Sequence, residues 1–337
     1  MSRVAGLITG AAAGATAAGA ARLAYAAANR RPPGGPKTWS RINHRGEPVT
    51  LLEGPALAVG AIAGVLAQAG LGPARSGTAR SGTARSGAAL AVAGAGAAAF
   101  GAYDDLVGSG DRRGFRGHLG ALRRGEVTTG TVKLGGIGVT GIVSAALAGG
   151  SPGDVVINAG LVAGGANLLN LFDLRPGRAI KVAVASGALL GVGRPRRGSG
   201  VGLTAPGAAA GLAVLPPLAA ALALLPEDLG ERAMLGDCGA NALGAMLGAA
   251  ATGLPRSARI ALLAGIASLT AASEKVSFSK VIERTPPLRW LDMLGRRPAD
   301  PVPKVLIPAQ RGDPMAFNGA ATTFRSAEKT DPTPPEK

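Results

Sequence analysis

The chain has 337 residues, of which 47% are hydrophobic and 17% are charged, and its mean hydropathy is +0.27. A soluble domain ordinarily has about a quarter of its residues charged, so this composition excludes an ordinary soluble protein and predicts a membrane protein. The apolar residues are mostly Ala, Gly, Val and Leu, with only 3% aromatics. Because Ala and Gly are so small, the helices are expected to pack closely.

The chain is strongly basic, with a formal net charge of +16. Such a charge can indicate nucleic-acid binding, but here the basic residues lie in short segments between apolar stretches and in the tail, as in loops beside a membrane. We therefore expect contact with anionic membrane lipids and no nucleic acid. The single cysteine, Cys238, excludes an internal disulfide, and His44 and His118 are too far apart for a helical metal motif.

Apolar windows of about the length that crosses a bilayer predict an all-α, polytopic membrane protein with about nine transmembrane helices. The first window is expected to be a retained span rather than a signal peptide, because only Arg3 precedes it and it is longer than a signal core. The windows are residues 4–28, 55–71, 88–103, 131–148, 154–171, 179–192, 201–225, 238–252 and 258–272.

The distribution of Arg and Lys predicts the orientation. Nine spans place the termini on opposite sides, and one set of connecting segments carries far more positive charge than the other. By the positive-inside rule that set is cytoplasmic, so the N-terminus is expected outside and the C-terminal tail inside a cell inner (plasma) membrane. The basic segments are residues 30–45, 112–124 and 175–181, Arg232, and the tail from residue 275.

Composition divides the chain into three parts. Residues 1–275 form the predicted transmembrane domain, and residues 276–300 mix apolar side chains with Lys and Arg, as in an amphipathic segment at the lipid interface. Residues 301–337 are rich in Pro, Asp, Lys and Thr, which predicts a disordered cytoplasmic tail. The tandem repeat RSGTA in residues 75–87 has no apolar face and predicts a flexible outer loop.

Carboxylates and amides lie at the ends of three apolar windows, and charge at a membrane boundary is costly unless it has a function. The predicted topology places all of them at the cytoplasmic face, where they could hold Mg²⁺ against a phosphate or diphosphate. They are Asp104, Asp105, Asn167, Asn170, Asp173 and Asp237.

Each of these groups also has an ordinary structural interpretation. The aspartate pair can simply balance nearby arginines. The two asparagines lie three residues apart on one helical face and can form interhelical hydrogen bonds. Asp237 can be an N-cap of the helix that follows it.

Three sequence blocks carry a resemblance to a known family. Residues 100–106 read F-G-A-Y-D-D-L, residues 165–178 read G-A-N-L-L-N-L-F-D-L-R-P-G-R, and residues 234–244 read M-L-G-D-C-G-A-N-A-L-G. In this order the blocks resemble the polyprenyl-phosphate N-acetylhexosamine-1-phosphate transferase superfamily, which includes phospho-N-acetylmuramoyl-pentapeptide transferase. The resemblance runs from about residue 48 to residue 253.

The resemblance implies a role for each matching residue. Asp237 is the expected Mg²⁺ ligand with Asp105 in support, and Asp104 is expected to orient or deprotonate the acceptor phosphate. Lys133, which looks like the family's basic residue at the start of the fourth span, would clamp a diphosphate together with Arg175. The residues expected to contact substrate are Lys133, Asn167, Asn170, Asp173 and Arg175.

The resemblance also implies a function and a set of partners. The expected reaction is Mg²⁺-dependent transfer of a sugar-1-phosphate from a UDP-sugar to a polyprenyl phosphate at the cytoplasmic membrane face, in cell-envelope glycan biosynthesis. Membrane lipids are further partners, and homodimer formation is left open. A transporter is disfavoured because the acidic residues gather on one face rather than at mid-membrane.

The chain departs from the family in three respects. Where the family continues D-G-L-D-G-L, residues 173–178 read D-L-R-P-G-R, so Pro176 replaces the second aspartate and Arg175 adds a cation. No histidine follows His118, so the family's histidine-rich loop has no counterpart, and a tenth span is lacking. These departures support an alternative, a catalytically inactive relative that binds the lipid carrier or an envelope-biosynthesis partner.

Overall fold

The computed structural model describes residues 3–71, 77–108, 120, 123–191 and 206–298, and they are mostly helical. A short antiparallel hairpin, β1 (Ser40–Ile42) and β2 (Pro48–Thr50), is inserted between the second and third helices. The helices are α1 (Arg3–Arg30), α2 (Pro36–Trp39), α3 (Glu53–Leu71), α4 (Gly77–Val107), α5 (Thr129–Ala148), α6 (Pro152–Phe172), α7 (Arg178–Gly191), α8 (Pro206–Ala213), α9 (Leu215–Leu229), α10 (Gly236–Ala251), α11 (Arg256–Ser273), α12 (Phe278–Arg284) and α13 (Pro286–Met293).

Four of these helices are long and apolar enough to cross a membrane: α3, the Ala84–Val107 part of α4, α5 and α6. Helices α11 and α12 pass the same test together, although the chain bends by 92° between them, so up to five spans are supported. The described residues of the predicted windows are almost all helical, which confirms a mostly helical protein with apolar helices of membrane-spanning length.

Two sequence predictions are corrected by the helix boundaries. The window 201–225 is not one continuous helix, because α8 ends at Ala213 and α9 begins at Leu215. Pro216 and Pro217 occupy the first turn of α9, where the missing N–H costs nothing, whereas in a helix interior they would break it. The predicted loop at residues 75–87 is also wrong from Gly77 onward, since that residue begins α4 and the Ala and Arg of the repeat are good helix formers.

Helix α10 is the centre of the described structure, and every residue from Cys238 to its end is buried. It packs against α3, α4 and α6. A Cβ added to Gly244 would lie less than 3.0 Å from the carbonyl oxygen of Gly165 on α6, and one added to Gly248 equally close to that of Leu161. The backbones of α6 and α10 therefore touch directly, as small residues in membrane helix pairs allow.

The same close approach fixes the N-terminal end of α10. A Cβ on Gly54 of α3 would lie less than 3.0 Å from the carbonyl oxygen of Leu235, and one on Gly101 of α4 equally close to that of Asp237. Glycine at these two positions thus brings the end of α4 and the start of α3 against the first turn of α10. The candidate site is built at this meeting point.

A Gly101→Ala substitution is expected to destabilise the protein, because the added methyl group would press against the Asp237 backbone and neither helix can easily move. Overpacking of this kind costs about 1–3 kcal/mol. The matched control is Gly138→Ala on α5, where an added Cβ meets no atom within 4 Å and alanine should be neutral or slightly stabilising. Thermal unfolding of the purified variants in detergent measures both. Equal midpoints for the two variants would contradict the close α4–α10 contact.

The hairpin is attached to the segment that leads into α10. Thr50 forms a parallel bridge with Ala233, its N–H donates to the carbonyl of Arg232, and its own carbonyl accepts from Met234. The all-α prediction did not include these strands. The predicted disordered tail, residues 301–337, and His118 lie outside the described residues.

Candidate functional site

The site is centred on the ammonium group of Lys133. Its Nζ lies 2.6 Å from Oδ2 of Asp104 and 2.6 Å from Oδ2 of Asp237. The three residues belong to the end of α4, the start of α5 and the first turn of α10, and their side chains are mostly buried. Three helices that are distant in sequence thus place two carboxylates and one cation in direct contact. The sequence predicts that the two aspartates converge, but it does not predict that Lys133 pairs with them.

Local capping sets the position of Lys133. The side chain of Thr128 accepts a hydrogen bond from the backbone N–H of Thr131 and so fixes the first residue of α5. Lys133 then lies just over one turn into the helix, and its side chain reaches back to the N-terminal end, in the direction that helical side chains normally take. That end of α5 faces the carboxylates of α4 and α10.

Asp105 has a different role from its neighbour Asp104. Its Oδ1 accepts the backbone N–H of Asp237 at 3.0 Å, and its Oδ2 accepts that of Cys238 at 2.8 Å. A carboxylate at a helix N-terminus satisfies N–H groups that have no partner within the helix and interacts favourably with the helix dipole. Asp105 therefore caps α10 from α4 and positions Asp237.

This arrangement overturns the structural interpretation of Asp237 as a cap. Leu235 occupies the N-cap position of α10 and makes no side-chain capping bond. The capping function is supplied from another helix by Asp105, so the Asp237 carboxylate is available to pair with Lys133.

Arg41 of strand β1 is a site residue that sequence reasoning missed. Its guanidinium donates to the backbone carbonyl of Asp105, and also to the carbonyl of Ser40 at 2.8 Å. A second cation thus lies at the end of α4, next to the aspartate pair. The sequence showed Arg41 only as one cation of a basic segment. Its contact with Asp105 could not be predicted, because the two residues are 64 positions apart.

Asp173 lies on the other side of the α10 N-terminus. It is the C-cap residue of α6, close enough to Asp105 and Asp237 for their charges to interact, and its carboxylate is near the backbone N–H of Gly236. The predicted convergence therefore includes the block of residues 165–178. It brings four carboxylates to one end of α10.

Two further buried carboxyl groups lie beside Asp173 and were not predicted. Glu53 is fully buried in the first turn of α3, and Asp228 is buried near the end of α9. Among the described residues, both oxygens of Glu53 and Oδ2 of Asp228 have no hydrogen-bond partner. Sequence inspection could not identify them, since an isolated Glu or Asp near a helix end is usually solvated.

Two other predicted residues, Asn167 and Arg175, have side-chain partners other than Lys133 and its two carboxylates. The amide of Asn167 donates to the hydroxyl of Thr270 on α11 at 3.4 Å, an interhelical bond of the kind the structural interpretation predicts. Asn170 lies on the same face of α6, and its backbone carbonyl accepts the N–H of Asp173. Arg175 approaches Glu283 of α12 at 3.9 Å instead of the carboxylates.

The carboxylates of the site meet only part of what a hard cation such as Mg²⁺ requires of its ligands. In the described part of the chain, no three His, Cys, Asp or Glu side chains are grouped closely enough to hold a metal ion. Mg²⁺, however, is commonly held by one or two carboxylates and completed by substrate phosphates and water. Asp104 and Asp237 are the adjacent pair that meets this lower requirement, whereas both Asp105 oxygens accept backbone N–H groups.

Comparison with known proteins gives no independent assignment of family. No protein-family model matches the chain, and a search of curated proteins finds no match.

Proposed function

We propose that this chain is a membrane enzyme that transfers a sugar-1-phosphate from a UDP-sugar to a polyprenyl phosphate and releases UMP. The observation that carries the proposal is the contact of Lys133 with both Asp104 and Asp237. Asp104 and Asp237 belong to two of the sequence blocks that resemble the family, and Lys133 looks like the family's basic residue at the start of the fourth span. Their meeting at one point is what a shared active site requires.

The reaction places specific demands on the site. A phosphate oxygen of the lipid acceptor attacks the phosphorus that carries the sugar, and the bond from that phosphorus to the bridging oxygen breaks, so UMP leaves with the electron pair. The acceptor phosphate, with a second pKa of about 6, is already largely dianionic at pH 7. Positioning and neutralisation of charge therefore matter more than proton removal.

The described side chains meet these demands as follows. Lys133 and Arg41 supply positive charge for the phosphates, with Lys133 as the donor closest to the carboxylates. Asp104 orients the acceptor, and Asp105 holds the first turn of α10 in place. A bound Mg²⁺ would neutralise diphosphate charge, and Asp237 with Asp104 would hold it.

We further propose the complete topology given by the charge distribution, with nine spans, an outer N-terminus and the site at the cytoplasmic face of the inner membrane. The helix ends assigned to that face carry the carboxylates that meet around α10, which supports the assignment. Nucleotide sugars are made in the cytoplasm, so a UDP-sugar can reach a site at the cytoplasmic face directly.

The orientation predicts that a cysteine at position 82, just before the membrane-spanning part of α4, is labelled by an impermeant maleimide from outside intact cells, while a cysteine at position 126 is not. Gly82 and Glu126 are both exposed, and Cys238→Ala provides the background because Cys238 is the sole cysteine. Permeabilised cells give the control, in which both positions react. Labelling of position 126 in intact cells would overturn the orientation.

The proposed function is tested by incubating purified protein with undecaprenyl phosphate, Mg²⁺ and a panel of UDP-sugars. Release of UMP together with a lipid-linked sugar diphosphate is the expected result. If no donor gives product while undecaprenyl phosphate binds, the chain is the non-catalytic carrier-binding relative. The pairing of Arg175 with Glu283 favours that second candidate, because it removes one predicted diphosphate contact.

A further inference from the structure

The C-terminal elbow, residues 274–297 with helices α12 and α13, has an inverted distribution of polar and apolar side chains. Asp292 is the single buried residue of α13, whereas Trp290 is 66% exposed. In a protein surrounded by water the apolar residues of a helix face inward. The other large apolar residues exposed on the elbow are Val276, Val281, Leu288, Leu291, Met293 and Leu294.

Charged contacts hold α13 in this orientation. Asp292 accepts two hydrogen bonds from Arg178 of α7, at 2.7 and 3.1 Å, and a third from Arg296 at 2.8 Å. Lys181 of α7 donates to the backbone carbonyl of Asp292 at 2.7 Å. The apolar face cannot turn inward without breaking these bonds, so its exposure is built into the fold.

The elbow is also fixed at the end of the bundle that carries the candidate site. The rings of Phe278 and Phe172 stack with centroids 5.0 Å apart, which ties α12 to the end of α6. Arg297 pairs with Glu47 beside the hairpin. The 92° bend after α11 turns the elbow across the direction of that helix. An element that leaves an apolar span at this angle runs along a membrane surface.

The exposed charges of the elbow complement an anionic surface. The four cations Lys275, Lys280, Arg284 and Arg289 are exposed, against the two exposed carboxylates Glu274 and Glu283. Glu283 lies near Arg175, which further reduces the negative charge that Glu283 contributes to the surface. Basic residues beside apolar ones are the pattern of helices that bind anionic lipids.

We propose that the elbow is a lipid-binding surface, with Trp290 and its apolar neighbours at the boundary between headgroups and acyl chains. Lys280, Arg284 and Arg289 contact anionic headgroups. The lipid bilayer is the occupant that fits both halves of the surface, since it offers apolar chains and negative charge side by side. This inference is independent of any catalytic activity.

Tryptophan fluorescence of the full-length protein tests the proposal, because the chain has two tryptophans and Trp39 is buried. A Trp39→Phe variant retains only Trp290 and is reconstituted into phosphatidylcholine vesicles containing phosphatidylglycerol. We expect most of its emission to be quenched by lipids brominated high on the acyl chain and little by aqueous acrylamide. The Trp290→Phe variant, which retains Trp39, is the control and should be quenched weakly by both.

Three outcomes decide the assignment. Strong quenching by brominated lipid supports it. Strong quenching by acrylamide with none by lipid would place the face in water and overturn it. Protection from both quenchers would also overturn it, because a second copy or a protein partner would then cover the face.

The headgroup contacts are tested in the same Trp39→Phe background by neutralising Lys280, Arg284 and Arg289 to Gln. The unmodified elbow should show greater lipid quenching in vesicles with phosphatidylglycerol than in phosphatidylcholine alone, and the triple variant should lose that difference. The control replaces by Gln three basic residues that lie outside the elbow, namely Lys37, Arg123 and Arg124. Loss of the difference in the control as well would show general charge attraction and contradict a specific elbow contact.

Discussion

An Asp237→Asn variant is expected to lose sugar-phosphate transfer by about a hundredfold or more, the effect of removing one directed charge from a preorganised site. The amide keeps the size of the side chain but not the charge that pairs with Lys133 and would hold Mg²⁺. The fold should persist, because Lys133 retains its bond to Asp104 and Asp105 still caps α10. Initial rates of UMP release at saturating substrates give the measurement, and thermal unfolding monitors the fold.

The matched control for this variant is Asp154→Asn. Asp154 lies at the start of α6, far along the helix from Asp173, and pairs with Arg259 at 2.9 Å. Ser151 is the N-cap of that helix, and asparagine at position 154 can still accept the Ser151 backbone N–H in the capping box, so transfer should remain close to wild type. If Asp237→Asn and Asp154→Asn turn over equally well, Asp237 has no role in catalysis.

The second large effect is expected for Asp292→Leu, which should lower the free energy of unfolding by about 3–5 kcal/mol. Arg178 is buried, with only 3% of its side chain exposed, and without Asp292 its charge has no carboxylate partner nearby in the described structure. Leaving one member of a buried pair uncompensated costs far more than the pair contributes when intact. Glu283→Gln is the control, since that exposed residue pairs with Arg175 at 3.9 Å and should contribute about 0–1 kcal/mol.

The same ion pair predicts a pH dependence. Burial alone would raise the pKa of Asp292, but the hydrogen bonds from Arg178 and the charges of Arg178, Arg296 and Lys181 outweigh it and hold the pKa below its usual value. A carboxyl group whose pKa is lowered by folding stabilises the protein above its unfolded pKa of about 3.9, and this contribution disappears as the pH falls through the folded pKa. The wild type should therefore lose more stability than Asp292→Leu on acidification below about pH 4. Parallel losses in both proteins would contradict the predicted contribution.

The sequence predicted those parts of the structure that depend on local pattern. Apolar windows located the helices, and sequence pattern alone identified Lys133 and the aspartates at the end of α4 and at the start of α10 as candidate site residues. The resemblance assigned them to one site, because no spacing within one helix relates Asp104 to a residue 133 positions later. It predicted a diphosphate contact for Lys133, whereas the direct contact of the Lys133 ammonium group with Asp104 and Asp237 was not predicted.

The missed features depend on contacts between distant segments. Asp105 is chemically identical to Asp104, and only the approach of α10 makes one a helix cap and the other a partner of Lys133. Arg41 lies in a hairpin whose strands have three residues each. Strands this short show no alternating sequence pattern. Asp292 was assigned to an amphipathic segment, yet its partner Arg178 is 114 residues away, and that pairing decides which face of α13 is exposed.

The capping of α10 by Asp105 has a consequence for how the site can respond to a ligand. Two backbone N–H groups of α10 are bound to a side chain of α4, and Gly101 allows the two backbones to touch beside them. The separation of the Asp104 and Asp237 backbones is therefore set by direct contact between the two helices. Lys133, in contrast, reaches them through a flexible side chain with four rotatable carbon–carbon bonds. If the proposed function holds, we expect a bound phosphate or metal ion to leave the backbones of Asp104 and Asp237 in place and to displace the Lys133 ammonium group.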